Sequence, residues 1–184
     1  MRAEWIAVAV LAVVGVYAIV VFNRLIRARN LVREGWSGID VQLRRRSDLV
    51  PSLIETVKGY AGHERTLFAE VTAKRNEALN ATSVSGRASA EQELQGSVRR
   101  VFAVAEAYPE LKASQNFLEL QRQLAELEDQ LQMARRYYNG TVRDYNIGIQ
   151  SFPDLILARV TGFHEEQFFE TDDTAVPSVK LTSP

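Results

Sequence analysis

The chain has 184 residues, with 22 Lys and Arg against 23 Asp and Glu for a formal net charge of -1, a balance that does not point to nucleic acid as a partner. It contains no cysteine, which excludes disulfides, thiolate metal sites and cysteine nucleophiles together and fits a reducing compartment. Its two histidines, His63 and His164, lie outside His-Glu-x-x-His spacing and leave a zinc site little to build on.

The first predicted element is Trp5 to Phe22, WIAVAVLAVVGVYAIVVF, a run without a charged side chain. As a helix it would be roughly 27 Å long, close to the thickness of bilayer hydrocarbon. A cleaved signal peptide is the alternative. The run is longer than a usual h-region, however, and lacks a small-x-small cleavage site before the arginines. The reading is therefore an uncleaved transmembrane helix. Arg2 and Glu4 lie on the short side, and Arg24, Arg27, Arg29 and Arg33 follow the span. Basic residues stay on the cytoplasmic side, so the short N-terminus is expected outside and the bulk of the chain in the cytoplasm. Trp5 is near enough to the end of the span to serve as an interfacial anchor.

About 160 residues follow the anchor, enough for one domain with a core. Val32, Trp36, Ile39 and Leu43 form a helical stripe that continues the membrane helix. Pro51 should end or kink that helix, with a bend near Asp48. Leu53, Ile54, Val57 and Tyr60 supply the next apolar face. Gly59 and Gly62 weaken the stretch after it, and Leu67, Val71 and Ala78 carry a helix to about Leu79. The segment Asn80 to Ala88, NATSVSGRA, reads as a loop between antiparallel helices. Ser89 and Gln92 then offer a capping box for a helix through Leu94, Val98, Val101, Phe102 and Ala105, stopped near Tyr108 by Pro109.

The strongest periodic pattern is Phe117, Leu120, Leu124, Leu127, Leu131, Ala134, Tyr138, Val142, Tyr145, Ile149 and Phe152, in mostly alternating steps of three and four. It predicts a long helix with one narrow apolar seam, starting at a capping box formed by Asn116 and Glu119. Glu119, Gln121, Arg122, Glu126, Glu128, Asp129, Arg135 and Arg136 lie between the seam positions as a solvated face. The seam residues Phe117, Leu120, Leu124, Leu127, Leu131, Tyr138, Val142 and Tyr145 are candidates for helix packing within the chain or for an oligomer seam, since such stripes also bind partner helices. Phe152-Pro153 marks a turn, and Leu155 to Val160 a short helix. No apolar periodicity remains from Thr171 to Pro184, which reads as a disordered tail. No segment alternates like a strand. The fold class is all-α, a transmembrane helix at 5–22 followed by an antiparallel helical bundle over 23–170.

Arg24, Arg27, Arg29 and Arg33 together with Arg44, Arg45 and Arg46 form one basic concentration. Arg24, Arg27, Arg29 and Arg33 are candidate contacts for anionic lipid, at roughly 1 kcal/mol per residue near a surface. Arg44, Arg45 and Arg46 are spread over about 200° of a helix and cannot all face one lipid plane. Asp40 and Asp48 could instead pair with that triplet. The clusters His63-Glu64 and His164-Glu165-Glu166 show neither a positioned partner nor a pocket for general base work. Serines occur outside any Gly-x-Ser-x-Gly elbow, and no phosphate loop is present. No catalytic residue, cofactor site or metal site is expected.

Three ordered blocks carry a resemblance. WSGIDVQLRRRSDLVPSLIETVKGYAGHE from Trp36 to Glu64, VAEAYPELKASQNFLELQRQL from Val104 to Leu124, and YYNGTVRDYNIGIQSFPDLILARVTGF from Tyr137 to Phe163 resemble the marked stretches of the LemA family of bacterial membrane proteins. The resemblance implies an N-terminal membrane helix, a mostly helical bundle, a short extracytoplasmic N-terminus and no established enzymatic activity. Relatives in that family include a protein involved in shaping the magnetosome membrane, so the resemblance also implies a membrane-organising role. The chain departs from the family at Gly35, Gly38 and Gly62, where alanine or larger polar residues are usual. It departs again at Ser47, where histidine is frequent. Each such glycine should loosen its helix by about 1 kcal/mol relative to alanine.

The expectation is a single-pass, homo-oligomeric scaffold of the bacterial inner membrane that organises or remodels the bilayer. The alternative is a membrane-tethered adaptor that recruits another protein through an exposed helix face or the tail. Confinement to two dimensions would raise the effective concentration of weak contacts.

Overall fold

The structure, a computed structural model that describes residues 2–170, contains six helices and no strand among those residues: α1 (Arg2–Lys58), α2 (Arg65–Asn80), α3 (Val84–Ala105), α4 (Pro109–Lys112), α5 (Gln115–Gln150) and α6 (Asp154–Val160). The fold is all-α. The tail expected over 171–184 lies outside the described residues.

Three helix boundaries differ from those expected, each for a local reason. α1 runs through Pro51 to Lys58. Proline lacks an N–H and so strands the carbonyl four residues earlier. That carbonyl belongs to Ser47 and accepts a bond from Arg75 Nε at 2.6 Å. A side chain of α2 thus replaces the missing helix bond. α3 begins at Val84, before the expected capping box at Ser89 and Gln92, and the expected 80–88 loop shrinks to 81–83. Ser83 caps it by accepting from Gly86 N at 3.1 Å. Arg87, Ala88 and Glu91 are buried on that helix, and their burial carries the helix back over Val84, Ser85 and Gly86, residues of weaker propensity. α5 starts one residue before Asn116, with Leu118 N donating to Ser114 O at 3.1 Å. Glu119 instead accepts from Arg122 Nη2 at 2.6 Å and from Gln123 Nε2 at 2.8 Å.

The chain divides into two compact units. Of the described residues, one contains 2–39 and Met133–Phe168, the other Asp40–Gln132 and 169–170. Both α1 and α5 contribute to both units, and no structural break falls at the 22/23 boundary drawn from hydropathy.

In the second unit the core is built from Val50, Leu53 and Val57 of α1, Phe68, Val71 and Ala78 of α2, Leu94, Val98 and Val101 of α3, Leu111 of α4, and Phe117 and Leu124 of α5. In the first unit α1 and α5 supply most of the core, with Val21, Leu25, Val32 and Ile39 buried on one and Tyr138, Val142, Tyr145 and Ile149 on the other. Here Gly35 has a use beyond loosening its helix. A Cβ on it would lie 3.1 Å from Tyr138 Cα, so glycine permits this close approach and a larger residue would push the two helices a few tenths of an ångström apart.

Every residue named above as a packing candidate is buried within the chain: Phe117, Leu120, Leu124, Leu127 and Leu131 in the second unit, Tyr138, Val142 and Tyr145 in the first. Phe152, the last position of the pattern, lies past the end of α5 and is 81% exposed.

Candidate membrane-anchoring site

α1 is bare over its first turns. Its apolar stretch has a mean hydropathy of 2.8 and only 6% of it is buried, unlike the core helix of a soluble protein. Trp5, Ile6, Leu11, Val13 and Ile19 are all exposed. Packing begins at Val21 and Leu25, both buried. So large an exposed apolar surface is what a lipid-facing span presents.

The first unit closes around the end of this stretch. Asp154, the first residue of α6, is 3% exposed. Its Oδ1 accepts from the Tyr17 hydroxyl at 2.7 Å, and its other oxygen is paired with Arg24. Tyr17 and Arg24 are seven residues apart on α1, two helical turns along one face, which is why one carboxylate reaches both. α6 ends in a Schellman arrangement, with Phe163 N bonded to Ala158 O at 3.0 Å and Gly162 N to Arg159 O at 3.4 Å. Gly162 there has φ +72°, a left-handed conformation that glycine adopts without strain. This turn delivers Phe163, whose ring lies 5.9 Å from Phe22 and 6.5 Å from Tyr145, with the Arg29 guanidinium 5.0 Å from its centroid.

Beyond Phe163 the chain runs without helix alongside α5 and is held by side chains of that helix. Tyr145 Oη donates to His164 O at 2.9 Å and Tyr138 Oη to Gln167 O at 2.8 Å. Asn146 pairs with the backbone of Glu166 in both directions, each at 3.0 Å. Gln150 reaches Glu165 at 2.8 Å. The seam tyrosines thus use their hydroxyls to tie down this strap. Burial, and after it the Glu166 carboxylate, pushes the Tyr138 phenol up to about 12. The same two causes raise Tyr145, with Arg29 opposing them.

Of the four arginines expected at lipid, Arg24 is paired with Asp154 and Arg29 lies over Phe163, whereas Arg27 and Arg33 are exposed.

The second unit holds a buried charge network. Arg46 is paired with Glu128 and lies 4.0 Å from Glu91. Arg87 lies 3.7 Å from Glu91 and 3.4 Å from Asp40, and donates to the Ala78 carbonyl near the end of α2. Arg44 bonds to Asp40 at 2.8 Å, the pairing that the spacing suggests. Three arginines meet three carboxylates, so the charge is neutralised internally. Arg46 belongs to this network and has no face left for lipid. Asp48, the other suggested partner of the triplet, lies 3.9 Å from Arg75 instead. The roles of Arg87 and Glu91 escape sequence reading because Arg87 falls in the expected 80–88 loop and Glu91 in the helix expected after it. Once both are drawn on one helix, their spacing of four is the signal. Among the described residues no group of three or more His, Asp or Glu side chains could hold a metal ion.

The pattern of the LemA family matches residues 35–181. Magnetosome protein MamQ 2 of Paramagnetospirillum magneticum (strain AMB-1) is 26% identical over 160 residues, covering 73% of this chain and 59% of that protein. Magnetosome protein MamQ of Magnetospirillum gryphiswaldense is 24% identical over 159 residues, 72% of this chain and 58% of the relative. Protein LemA of Metamycoplasma hominis is 24% identical over 155 residues, 82% of this chain and 69% of the relative. The chain thus spans less than two thirds of the length of the magnetosome proteins it matches.

Proposed function

The chain belongs to the LemA family, and from that membership we propose that it is a single-pass scaffold of the bacterial inner membrane, one that self-assembles and so organises or remodels the bilayer without enzymatic chemistry. The observation that carries this reading is the bare apolar start of α1, which continues as one helix into a packed helical unit. The anchor and the fold are the same element. Tyr17, inside the apolar run, bonds to Asp154, so removal of the run as a signal peptide would strip a buried carboxylate of a partner. Similarity to proteins named for the magnetosome supports a role tied to membrane organisation. The buried charges Arg46, Arg87 and Glu91 lie within ion-pair distance of one another or of Glu128, an arrangement that serves packing. The excess of basic residues after the span supports an N-out orientation. Confinement to the membrane plane lets weak contacts between copies accumulate.

The test is the mass and shape of the full-length protein extracted in mild detergent, by light scattering and negative-stain electron microscopy. A large regular assembly is the expected result, together with deformation of vesicles at high surface coverage. A monomer beside unchanged spherical vesicles would overturn the scaffold and leave recruitment of another protein as the function to pursue. For the orientation, a cysteine introduced near Asn80 should resist impermeant reagents in intact cells.

A further inference from the structure

α6 is inverted relative to a helix on the surface of a soluble domain. Asp154 and Ala158, one turn apart, are buried, with the carboxylate turned inward. Ile156 and Val160, one turn apart on the opposite side, are 60% and 80% exposed, and Phe152 just ahead of the helix is also bare. A soluble surface puts the carboxylate out and the branched aliphatic residues in. This inversion is local, and its place gives the reason. Asp154 bonds to Tyr17, which lies within the last two turns of the apolar run. α6 therefore sits beside the end of the span, held there by Asp154 and by the Phe163–Phe22 ring contact, with its apolar side chains on its outward face.

We propose that the corner Phe152–Val160 is a second membrane contact, an interfacial wedge beside the transmembrane helix, with Phe152, Ile156 and Val160 entering the boundary between headgroups and acyl chains. The inference rests on the membrane span assigned above and adds a second anchoring point to it. Its occupant is the bilayer, because the helix that carries the patch is fastened to the end of the span by Asp154 and Phe163. The inward polar groups fit this setting. At the edge of the hydrocarbon an unpaired carboxylate or guanidinium is costly, and Asp154 is shared between a hydroxyl and Arg24. Arg24 reaches back toward the span while its exposed side stays available to headgroups or water. The wedge spreads a single-helix footprint over one leaflet.

The chain has no cysteine, so a single environment-sensitive label can be placed on the full-length protein in vesicles of phosphatidylethanolamine and phosphatidylglycerol. Val160→Cys and Ile156→Cys report on the wedge, and Val13→Cys, at an exposed position in the middle of the span, reports on insertion of the anchor. Helical circular dichroism checks that each variant folds. The expected result is a blue-shifted emission at residues 156 and 160, quenched more by lipid-borne shallow spin labels than by aqueous iodide, as for groups about 5–10 Å into the boundary. Quenching by iodide at residues 156 and 160 alongside lipid quenching at residue 13 would overturn the wedge and leave the anchor standing. Iodide quenching at all three would overturn both. Shielding of residues 156 and 160 from both quenchers, relieved when the protein is diluted in lipid, would put a second copy of the chain on this face in place of the bilayer and overturn the proposal.

Discussion

Arg24 and Arg46 both leave α1 to meet a buried carboxylate, yet the two regions treat the charge differently. In the first unit the carboxylate of Asp154 is enclosed while the Arg24 side chain is 62% exposed. In the second unit Arg46 and Glu91 are both enclosed, at 7% and 1%. The first arrangement lets one partner remain solvated. The second withdraws both from water and is favourable only while every member is present. The difference shows that the sign and spacing of charges along a helix do not set their importance; burial of the arginine together with its carboxylate does.

Removing Arg46 should therefore do the most damage. Arg46→Ala leaves Glu91 and Glu128 without their shared cation and is expected to cost about 3–5 kcal/mol, read as a lowered urea midpoint of helical circular dichroism in detergent. Asp154→Ala should cost less, about 1–3 kcal/mol, because Arg24, one of the two donors that lose this acceptor, is already largely exposed and can be hydrated instead. Equal losses at the two sites would break the comparison.

The Ser47 carbonyl supplies a test inside the second unit. Arg75→Leu should cost about 1–2 kcal/mol by orphaning it, and Pro51→Ala in that background should recover most of the loss by restoring the helix N–H. If Pro51→Ala does nothing, Arg75 is not what lets α1 continue past its proline.

The smallest effect at neutral pH is expected at Tyr138, where Phe removes one hydrogen bond to the strap, worth about 1 kcal/mol. Its pH dependence is more telling. The phenol, pushed up to about 12 in the fold, ionises near 10 when unfolded. The unfolded chain therefore releases this proton first, and the contribution of Tyr138 is full below pH 10 and is lost as pH rises from about 10 through 12. Alkaline unfolding of the unaltered chain should steepen over that window, and Tyr138→Phe should flatten the change.

Much of this was legible from residue order. The uncharged run 5–22, the continuation through Val32, Trp36, Ile39 and Leu43, and the seam along α5 all come from periodicity, which is a local property that folding only has to accept. Helix ends were less legible. Asn116-Glu119 and Ser89-Gln92 both have capping-box spacing, and neither is used as a cap, because Ser114 and Ser83 start the helices earlier. Capping motifs are short, and burial of Arg87, Ala88 and Glu91 outweighs a preference of about 1 kcal/mol.

The apolar span, the all-helical class and the core face of the long helix are determined by sequence alone, since hydrophobic periodicity specifies which residues leave water before it specifies what they meet. The partners of the charges belong to tertiary structure. Arg46 meets Glu128 across 82 positions, and Tyr17 meets Asp154 across 137, separations at which no spacing rule applies. The same holds for Pro51, whose effect on α1 depends on an arginine 24 residues further along, and for α6, whose exposed Ile156 and Val160 look like ordinary core residues until the buried Asp154 shows which way the helix faces. Close packing decides these contacts, because only the folded chain brings the lone acceptor and its donor within hydrogen-bonding distance.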